Sequence, residues 1–529
     1  MMPFIDRATL DFLLYDWLAA DALTARPRFA EHSRETFDAV LDLSTRLADE
    51  HFAPHYKLSD RLEPSLDGDT VHVLSEIKDA LQAYAEAGLF AASFDEALGG
   101  AQIPTLIHTA STAMTMAANI ATAAYPMLTV ANARLLTTFG TPAQIEVFAR
   151  PQIEGRWFGT MCLSEPQAGS SLADITTRAV VDGEDVVLGP RYRLFGNKMW
   201  ISCGNQDASQ NILHLVLAKV PGDEGRLGPG LAGISLFAVP KLLPGGEAND
   251  VVVAGLNHKM GYRGTANCLL AFGEGTRHRP ENAAGAIGYR IGEVGQGLAI
   301  MFRMMNEARI AVGVGAAALA CRGYRQSLDY ARERIQGRAA GAKGAAPVAI
   351  ITHPDVRRML LAQKVNAEGA LALVLYCARL VDEEATAADE AARQSAGLLL
   401  GLLTPIGKSW PAEFGLAAND LAIQIHGGYG YTRDFDVEQV YRDNRLNPIH
   451  EGTHGIQAID LLGRKILRGN GEALALLGAR IAATLDACDD DQARECAALR
   501  DAWRDVLDTV AVLRGAPADE ALHNASGFL

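Results

Sequence analysis

The amino-acid sequence predicts an α+β chain in which helices and strands are segregated along its length. Apolar residues recur at helical spacing up to about residue 155, short β-branched runs follow, and helical spacing returns after Gly297. Because strands do not alternate with helices, a doubly wound sheet is not expected. The predicted divisions are an N-terminal helical domain (1–155), a middle antiparallel β-domain (156–285), a C-terminal helical bundle (286–470) and a C-terminal helical extension (471–529).

The N-terminal region has the pattern of amphipathic helices. Apolar residues stand three and four positions apart, as in Leu81, Tyr84 and Ala85, with polar residues between them. The run Gly140-Thr141-Pro142 marks a turn, and Pro142 is well placed in the first turn of a further helix. The expectation for this region is helices throughout.

The middle region consists of short β-branched runs such as 186–188 and 234–239, separated by Gly and Pro. Short strands at this spacing predict a small antiparallel sheet or a barrel. In the helices that follow, Gly313, Gly315 and the alanines 316–318 permit close helix approach, which favours a bundle. The tail places Leu499, Trp503 and Val510 on one helical stripe, which predicts a further docked helix or helix pair.

Composition excludes several classes of protein. The 529 residues include 48 Lys plus Arg and 63 Asp plus Glu, a net charge of −15 that argues against nucleic acid as a partner. The seven cysteines are scattered without metal-ligand spacing, so they are expected to be reduced thiols, and no metal site is predicted. No secretory signal and no run long enough for a membrane span is present, which predicts a soluble cytoplasmic protein.

One carboxylate stands out as a candidate general base. Glu451 follows Pro448-Ile449 and precedes a glycine where a helix should begin, so it can project into an apolar cavity. Desolvation there would raise its pKa toward that of a working base. The alternative is a glutamate in the first turn of a helix that interacts with the helix dipole, and spacing alone leaves both open.

Two loops could hold a planar or phosphorylated ligand. In the run 163–171, Leu163, Ser164 and Ser170 surround a Pro-containing turn, and in the run 196–204 Trp200 could form an aromatic wall with Ser202 as a donor. The alternatives are an ordinary polar loop and a tryptophan in the core.

Two further segments could bind an anion. The glycines in Gln424-Ile425-His426-Gly427-Gly428 permit close backbone approach to a pyrophosphate, although the segment lacks the dinucleotide-binding fingerprint. A glycine-capped helix end is the alternative. The run 330–338 offers guanidinium groups suited to anionic ligands, or simply an exposed helix end.

Taken together and in this order, these segments resemble the acyl-CoA dehydrogenase family over roughly residues 30–470. The run 164–170 matches the family's Thr/Ser-Glu-Pro-x-Ala-Gly-Ser motif, with Ser171 where the family has Asp. The run 301–309 and the run 449–457 are similar to the larger bacterial branch, which includes 3-methylmercaptopropionyl-CoA dehydrogenases and related long bacterial fatty-acyl-CoA dehydrogenases. The sequence departs from the family at His450, often another aromatic residue, and in a Gly/Ala-rich insertion that ends at Ala346.

The resemblance implies one FAD per subunit, a four-helix C-terminal bundle and a homodimer. It places the catalytic base at Glu451. The flavin-lining positions that it implies are Leu163, Ser164, Ser170, Trp200 and Ser202, and Thr453 matches a cofactor-contacting position after the base. It implies that Arg334 and Gln336 bind the pyrophosphate and adenine end across a subunit interface, and that Gln424, Gly427 and Gly428 form the neighbouring pyrophosphate loop.

The implied reaction is α,β-dehydrogenation of an acyl-CoA to a trans-2-enoyl-CoA, with hydride transfer to flavin N5 and reoxidation by an electron-transfer flavoprotein. Three alternatives stay open at this point. They are an acyl-CoA oxidase or flavin monooxygenase on the same scaffold, a flavin-bearing protein of the DNA-damage response, and a helical scaffold without activity. The acyl chain length cannot be derived from the sequence.

Overall fold

The structure is a computed structural model that describes residues 4–222, 224–339 and 344–529. Helices occupy the first and last parts of the chain, and the large sheet lies between them, which confirms the predicted α+β class. Part of the Gly/Ala-rich insertion, residues 340–343, lies outside the described residues. No helix within the described ranges has the length and apolarity needed to cross a membrane.

The N-terminal part is built around one long, bent helix. This helix, α5 (Thr105–Phe139), has non-helical backbone angles at Asn119 and contains Pro126, and most of its residues are buried. The non-helical angles at Asn119 and the missing N–H of Pro126 each interrupt regular helical hydrogen bonding, so the helix bends. The shorter helices are α1 (Arg7–Asp11), α2 (Arg34–Leu47), α3 (Tyr56–Arg61), α4 (Ser75–Glu86), α6 (Pro142–Gln144) and α7 (Arg150–Ile153).

The expectation of helices throughout this part is wrong at one hairpin. Strands β1 (Ser65–Asp67) and β2 (Thr70–His72) pair in antiparallel fashion around Gly68, whose φ of 58° is in the left-handed region. Asp67 pairs with Thr70, so Gly68 and Asp69 form a two-residue loop with glycine first, a favoured hairpin turn that outweighs the helical context.

The central sheet curls on itself. Its strands run in the order β10-β7-β6-β4-β5-β9-β8, β3 pairs with β6 in parallel, and β10 also pairs with β5. All of its other extended pairings are antiparallel, as expected. The strands are β3 (Trp157–Cys162), β4 (Arg178–Asp185), β5 (Gly189–Ser202), β6 (Asn211–Lys219), β7 (Ile234–Pro240), β8 (Val251–Leu256), β9 (Asn267–Phe272) and β10 (Ala286–Ile291).

Strand β6 carries the core on both of its faces. Leu213, Leu215 and Leu217 pack with the end of α5, whereas Val216 and Ala218 pack on the opposite face with the β-branched residues of the sheet. This alternation follows from the two-residue period of a strand. The sheet is therefore anchored against the N-terminal helices.

Three long helices form the C-terminal part with α5 beside them: α8 (Gly297–Glu333), α9 (Pro354–Thr386) and α10 (Glu390–His426). The predicted small-residue contact is present. A Cβ placed at Gly313 would lie 2.0 Å from the backbone oxygen of Gly407, so only glycine permits this approach of α8 to α10. Two shorter helices, α11 (Val437–Asn444) and α12 (His454–Ala458), flank the loop that contains Glu451.

Arg322 connects the two helical parts at the break in α5. Its guanidinium donates to the backbone oxygens of Ala117 and Ala118, at 2.9 and 2.5 Å, and pairs with Asp436 at 2.8 Å. The guanidinium also lies 3.7 Å from the ring centroid of Tyr56. Arg322 is 2% exposed, so its guanidinium finds its partners inside the protein and not in solvent.

The tail packs behind the Glu451 region. After α12, a π-helical stretch (Ile459–Leu467) contacts the tail helices α13 (Glu472–Asp486), α14 (Ala493–Arg514), α15 (Ala518–Leu522) and α16 (Ala525–Phe528).

The structure joins Cys488 and Cys496 in a disulfide, so the expectation of seven reduced thiols is wrong for this pair. The turn between α13 and α14 brings the two thiols together, which their irregular sequence spacing did not indicate. The other five cysteines are free and buried.

Candidate active site

Glu451 lies in the loop between α11 and α12, in a left-handed backbone conformation. Its φ is 53° and that of Gly452 is 90°. Non-glycine residues adopt this conformation at an energetic cost and need support from their surroundings. Gln457 Nε2 donates to the Glu451 carbonyl at 2.9 Å, and Lys408 Nζ donates to the Gly452 carbonyl at 2.6 Å. Thr453 then caps α12 by accepting from the Ile456 N–H.

The electrostatics of this loop favour a base that titrates near neutrality. Burial raises the pKa of Glu451 to about 7, although Arg309 and Lys408 oppose the shift. Burial also lowers the pKa of Lys408 to about 8, and burial together with Lys408 lowers the pKa of His450 to about 3. His450 is therefore neutral at pH 7, and Glu451 is poised between its two protonation states. This matches the requirement for a general base.

A buried polar network supports the loop from one side. His450 Nε2 and Tyr262 Oη each lie 3.0 Å from Asn447 Oδ1. Asp443 accepts from Tyr56 Oη at 2.8 Å and from the Tyr262 N–H at 2.6 Å. These contacts tie the loop to the N-terminal helices and to the sheet.

The loop after β3 is held to β5 by an ion pair that the sequence analysis missed. Lys198 Nζ lies 3.0 Å from Glu165 and 2.9 Å from the Leu163 carbonyl, and both charged side chains are at most 1% exposed. The backbone N–H groups of Thr176 and Thr177 also donate to Glu165. Burial raises the pKa of Glu165, but Lys198 and these donors outweigh it and bring the pKa to about 2.

This ion pair positions the candidate flavin-lining loop. The Ser164 carbonyl accepts from the Met199 N–H at 3.0 Å, so the loop runs alongside β5. Leu163 and Ser164 are partly exposed and Ser170 is exposed. At the position where the family has Asp, Ser171 Oγ donates to Asp174 at 2.7 Å, so a nearby carboxylate is still part of the turn.

Trp200 is at the surface and not in the core. Strand β5 changes register with β9 between Lys198 and Ile201, and Trp200 within this bulge has a φ of 65° and is 60% exposed. A bulge of this kind turns a side chain away from the regular alternation. Ser202 Oγ accepts from Asn267 Nδ2 at 3.2 Å. The indole therefore offers an open face beside the partly exposed Ser202.

The five predicted pyrophosphate residues share one cavity of about 600 Å³, lined by the ends of α8 and α10 and the loop after α8. Gly427 has a φ of 60°, and a Cβ at either Gly427 or Gly428 would meet no atom within 4 Å. Open backbone beside a guanidinium and two amide side chains fits a pyrophosphate group. The five residues are Arg334, Gln336, Gln424, Gly427 and Gly428.

The cavity does not contain the other predicted site residues. The lining of the 600 Å³ cavity includes neither Glu451 nor Thr453. It also includes none of the predicted residues on the loop after β3 or on β5.

A second, apolar cavity of about 110 Å³ lies between α5, α8 and α9. Met127, Ala131 and Ala308 contribute to its lining, and His108, Arg134 and Glu307 add polar groups. Ala308 precedes Arg309, whose charge acts on Glu451. The sequence does not indicate this cavity, because it depends on how the two halves of the bent α5 face α8.

Comparisons with known proteins agree with the resemblance. The family model described as acyl-CoA dehydrogenase, C-terminal domain, matches residues 295–467, and that of the middle domain matches residues 160–274. The 3-methylmercaptopropionyl-CoA dehydrogenase of Ruegeria pomeroyi is 36% identical, over 89% of this chain and 77% of that protein. The broad-specificity linear acyl-CoA dehydrogenase FadE5 of Mycobacterium tuberculosis is 35% identical, over 95% of this chain and 82% of that protein.

The fold also has solved counterparts. A crystal structure of an acyl-CoA dehydrogenase complexed with FAD from Bacillus anthracis superposes with a TM-score of 0.74 at 21% identity. The superposition covers 94% of this chain and 79% of that one.

Proposed function

The chain belongs to the acyl-CoA dehydrogenase family and is an FAD-dependent enzyme, and from this premise we propose that Glu451 is its catalytic base. Glu451 removes the α-proton of an acyl-CoA thioester, and the product is a trans-2-enoyl-CoA. The observation that carries this proposal is the pKa of about 7 that burial gives to a carboxylate on a constrained loop.

The backbone beside the base supports this role. The Glu451 N–H donates no hydrogen bond within the described part of the chain, so it is available to the thioester carbonyl. A donor at this point stabilises the negative charge that develops as the α-proton leaves. Bound FAD supplies the acceptor for the hydride that leaves the β-carbon.

Two sets of residues are proposed to hold the cofactor. Leu163, Ser164 and Ser170 on the loop after β3, with Trp200 and Ser202 on β5, line the ring system, and Thr453 contacts it after the base. The cavity that contains Arg334 and its four neighbours holds the pyrophosphate and adenine end. Because the lining of this cavity includes none of the proposed ring-lining residues, we propose a homodimer in which each subunit contributes one set to each site.

The apolar cavity is the proposed site of the acyl chain. Its lining is predominantly apolar, as an alkyl chain requires, and it adjoins the α8 segment that carries Arg309. An electron-transfer flavoprotein is the proposed acceptor of the electrons, and the cytoplasm is the proposed location.

The test is an anaerobic titration of the FAD-loaded protein with acyl-CoAs of graded chain length, followed at the visible flavin band. The native protein should bleach with a subset of them, and Glu451→Gln should retain FAD while losing about 10²–10⁴-fold in rate. Because Glu451 must be ionised, kcat/KM should fall about tenfold per pH unit below pH 7.

Glu472→Gln, an exposed glutamate in the tail, is the matched control and should behave as the native protein. Turnover by Glu451→Gln at the native rate would disprove the assignment of the base. If no acyl-CoA bleaches the flavin of the native protein, the dehydrogenase reaction itself is refuted.

A further inference from the structure

Lys408 is a fully buried cation with no carboxylate in hydrogen-bonding contact. It lies in the middle of α10, its exposed fraction is 0%, and its hydrogen bond goes to the Gly452 carbonyl at 2.6 Å. Among the described residues, no Asp or Glu oxygen lies within 4.0 Å of its Nζ. A buried ammonium without a counter-charge is costly, so a position of this kind needs a reason.

The other buried cation near the loop is already compensated. Arg309 Nη1 lies 2.9 Å from Asp460, which is itself nearly buried. The carboxylate whose charge acts on Lys408 is Glu451. The charged and titratable groups that face this loop are Arg309 from α8, Lys408 and Glu413 from α10, Arg445 at the end of α11, His450 in the loop itself, His454 in α12 and Asp460 after it.

Neither histidine can take the place of Lys408 as a counter-charge. Burial lowers the pKa of both His450 and His454, so both are neutral at pH 7. Glu413 carries the wrong sign and is mostly exposed. Of the two cations whose charges act on Glu451, Arg309 is paired with Asp460, so Lys408 is the one without a carboxylate partner.

We propose that Lys408 is a positioning residue that holds the Gly452 carbonyl and favours the ionised form of the Glu451 carboxyl group before substrate binds. This inference rests on the proposed role of Glu451 as the base. The Lys408 hydrogen bond fixes the left-handed pair Glu451-Gly452, and the Lys408 charge opposes the effect of desolvation on the Glu451 carboxylate. The two effects can be separated, because glutamine retains a donor but not the charge, and methionine retains neither.

The experiment compares Lys408→Met, Lys408→Gln and Lys408→Arg as FAD-loaded full-length proteins. The first readout is the pH dependence of kcat/KM. The second is the rate at which a non-oxidisable acyl-CoA analogue takes up deuterium at its α-carbon in D₂O, which measures proton transfer without hydride transfer. Lys465→Met, in the π-helical stretch after the base, is the control and should keep the native profile.

We expect the acidic limb of the pH profile of kcat/KM to move to higher pH by about one unit or more in both Lys408→Met and Lys408→Gln. Deuterium uptake at pH 7 should then fall about tenfold and recover at higher pH. Lys408→Arg should keep the native limb, because its charge is retained; if the larger side chain prevents folding, Lys408→Gln against the native protein decides.

The inference would be overturned if the acidic limb of both neutral variants stayed at the native pH while their rates fell equally at every pH. Lys408 would then be a structural residue. The proposed function fails in a different way. In that case Glu451→Gln takes up deuterium at the native rate, whatever the Lys408 variants do.

Discussion

Removing the charge of Lys198 should destabilise the sheet far more than removing a comparable buried lysine. Lys198 and Glu165 are at most 1% exposed and 3.0 Å apart, so Lys198→Met leaves a carboxylate buried without its partner. Breaking a buried pair in this way costs about 3–5 kcal/mol. For a unit of about 150 residues that includes the sheet, this loss of free energy corresponds to a fall of about 10 °C in the melting temperature.

The matched control is Lys219→Met on strand β6. Lys219 is 5% exposed and donates to the carbonyls of Ala173 and Gly228, so its removal leaves no carboxylate without a partner. The expected cost is about 1–2 kcal/mol. Thermal and urea unfolding, followed by calorimetry and fluorescence, compare the two variants.

The dependence on pH separates the ion pair from simple packing. The native pKa of Glu165, about 2, lies below its unfolded value, so the stability it contributes is present above about pH 4.5 and is lost as pH falls toward 2. In Lys198→Met the pKa of Glu165 rises, so the difference from the native protein should be larger at pH 7 than at pH 4. The double variant Lys198→Met, Glu165→Gln should recover about 2 kcal/mol at pH 7. Additive effects in the double variant, or equal costs for Lys198→Met and Lys219→Met, would refute this reasoning.

Two further predictions concern ligand binding. Arg334→Ala should raise the Kd for FAD about tenfold or more, because it removes charge-assisted hydrogen bonds to the pyrophosphate. Arg332→Ala, at an exposed position, is the control. Flavin fluorescence measures the Kd of both variants. An unchanged Kd would place the pyrophosphate elsewhere. Ala131→Leu adds three carbons to the lining of a cavity of about 110 Å³, so kcat/KM should shift toward shorter acyl chains, and an unaltered chain-length profile would exclude this cavity as the acyl site.

The sequence predicted the fold class because the hydrophobic period changes twice along the chain. The run around Leu81 has the spacing of a helix, whereas the run 234–239 is short and apolar between Gly233 and Pro240, as in a buried strand. The hairpin at Gly68 was not predicted, because three-residue strands are too short to show a period and only the Gly-Asp pair of the turn indicated them. The pairing of β10 with both β7 and β5 was also beyond the sequence, since register depends on contacts between distant strands.

The candidate site was predictable where a residue carries its chemistry in a local motif. The five residues of the 600 Å³ cavity come from two segments singled out in the sequence, and the structure brings them together. The partners of these motifs were not predictable. Lys198 is 33 residues from Glu165 and Lys408 is 44 residues from Gly452, and nothing in the intervening sequence relates either pair. The exposure of Trp200 likewise depends on a bulge that appears only when β5 pairs with β9.

The contacts of Arg322 have a consequence for how the protein comes apart. The helical parts are separated in sequence by the whole sheet, yet one guanidinium from α8 satisfies two carbonyls at the break in α5 and a carboxylate near α11. Pulling the two parts away from each other would leave a charge and two carbonyls without partners in the same event. The first and last thirds of the chain are therefore expected to lose their structure as one cooperative unit, and protection of their amides against hydrogen exchange should disappear together.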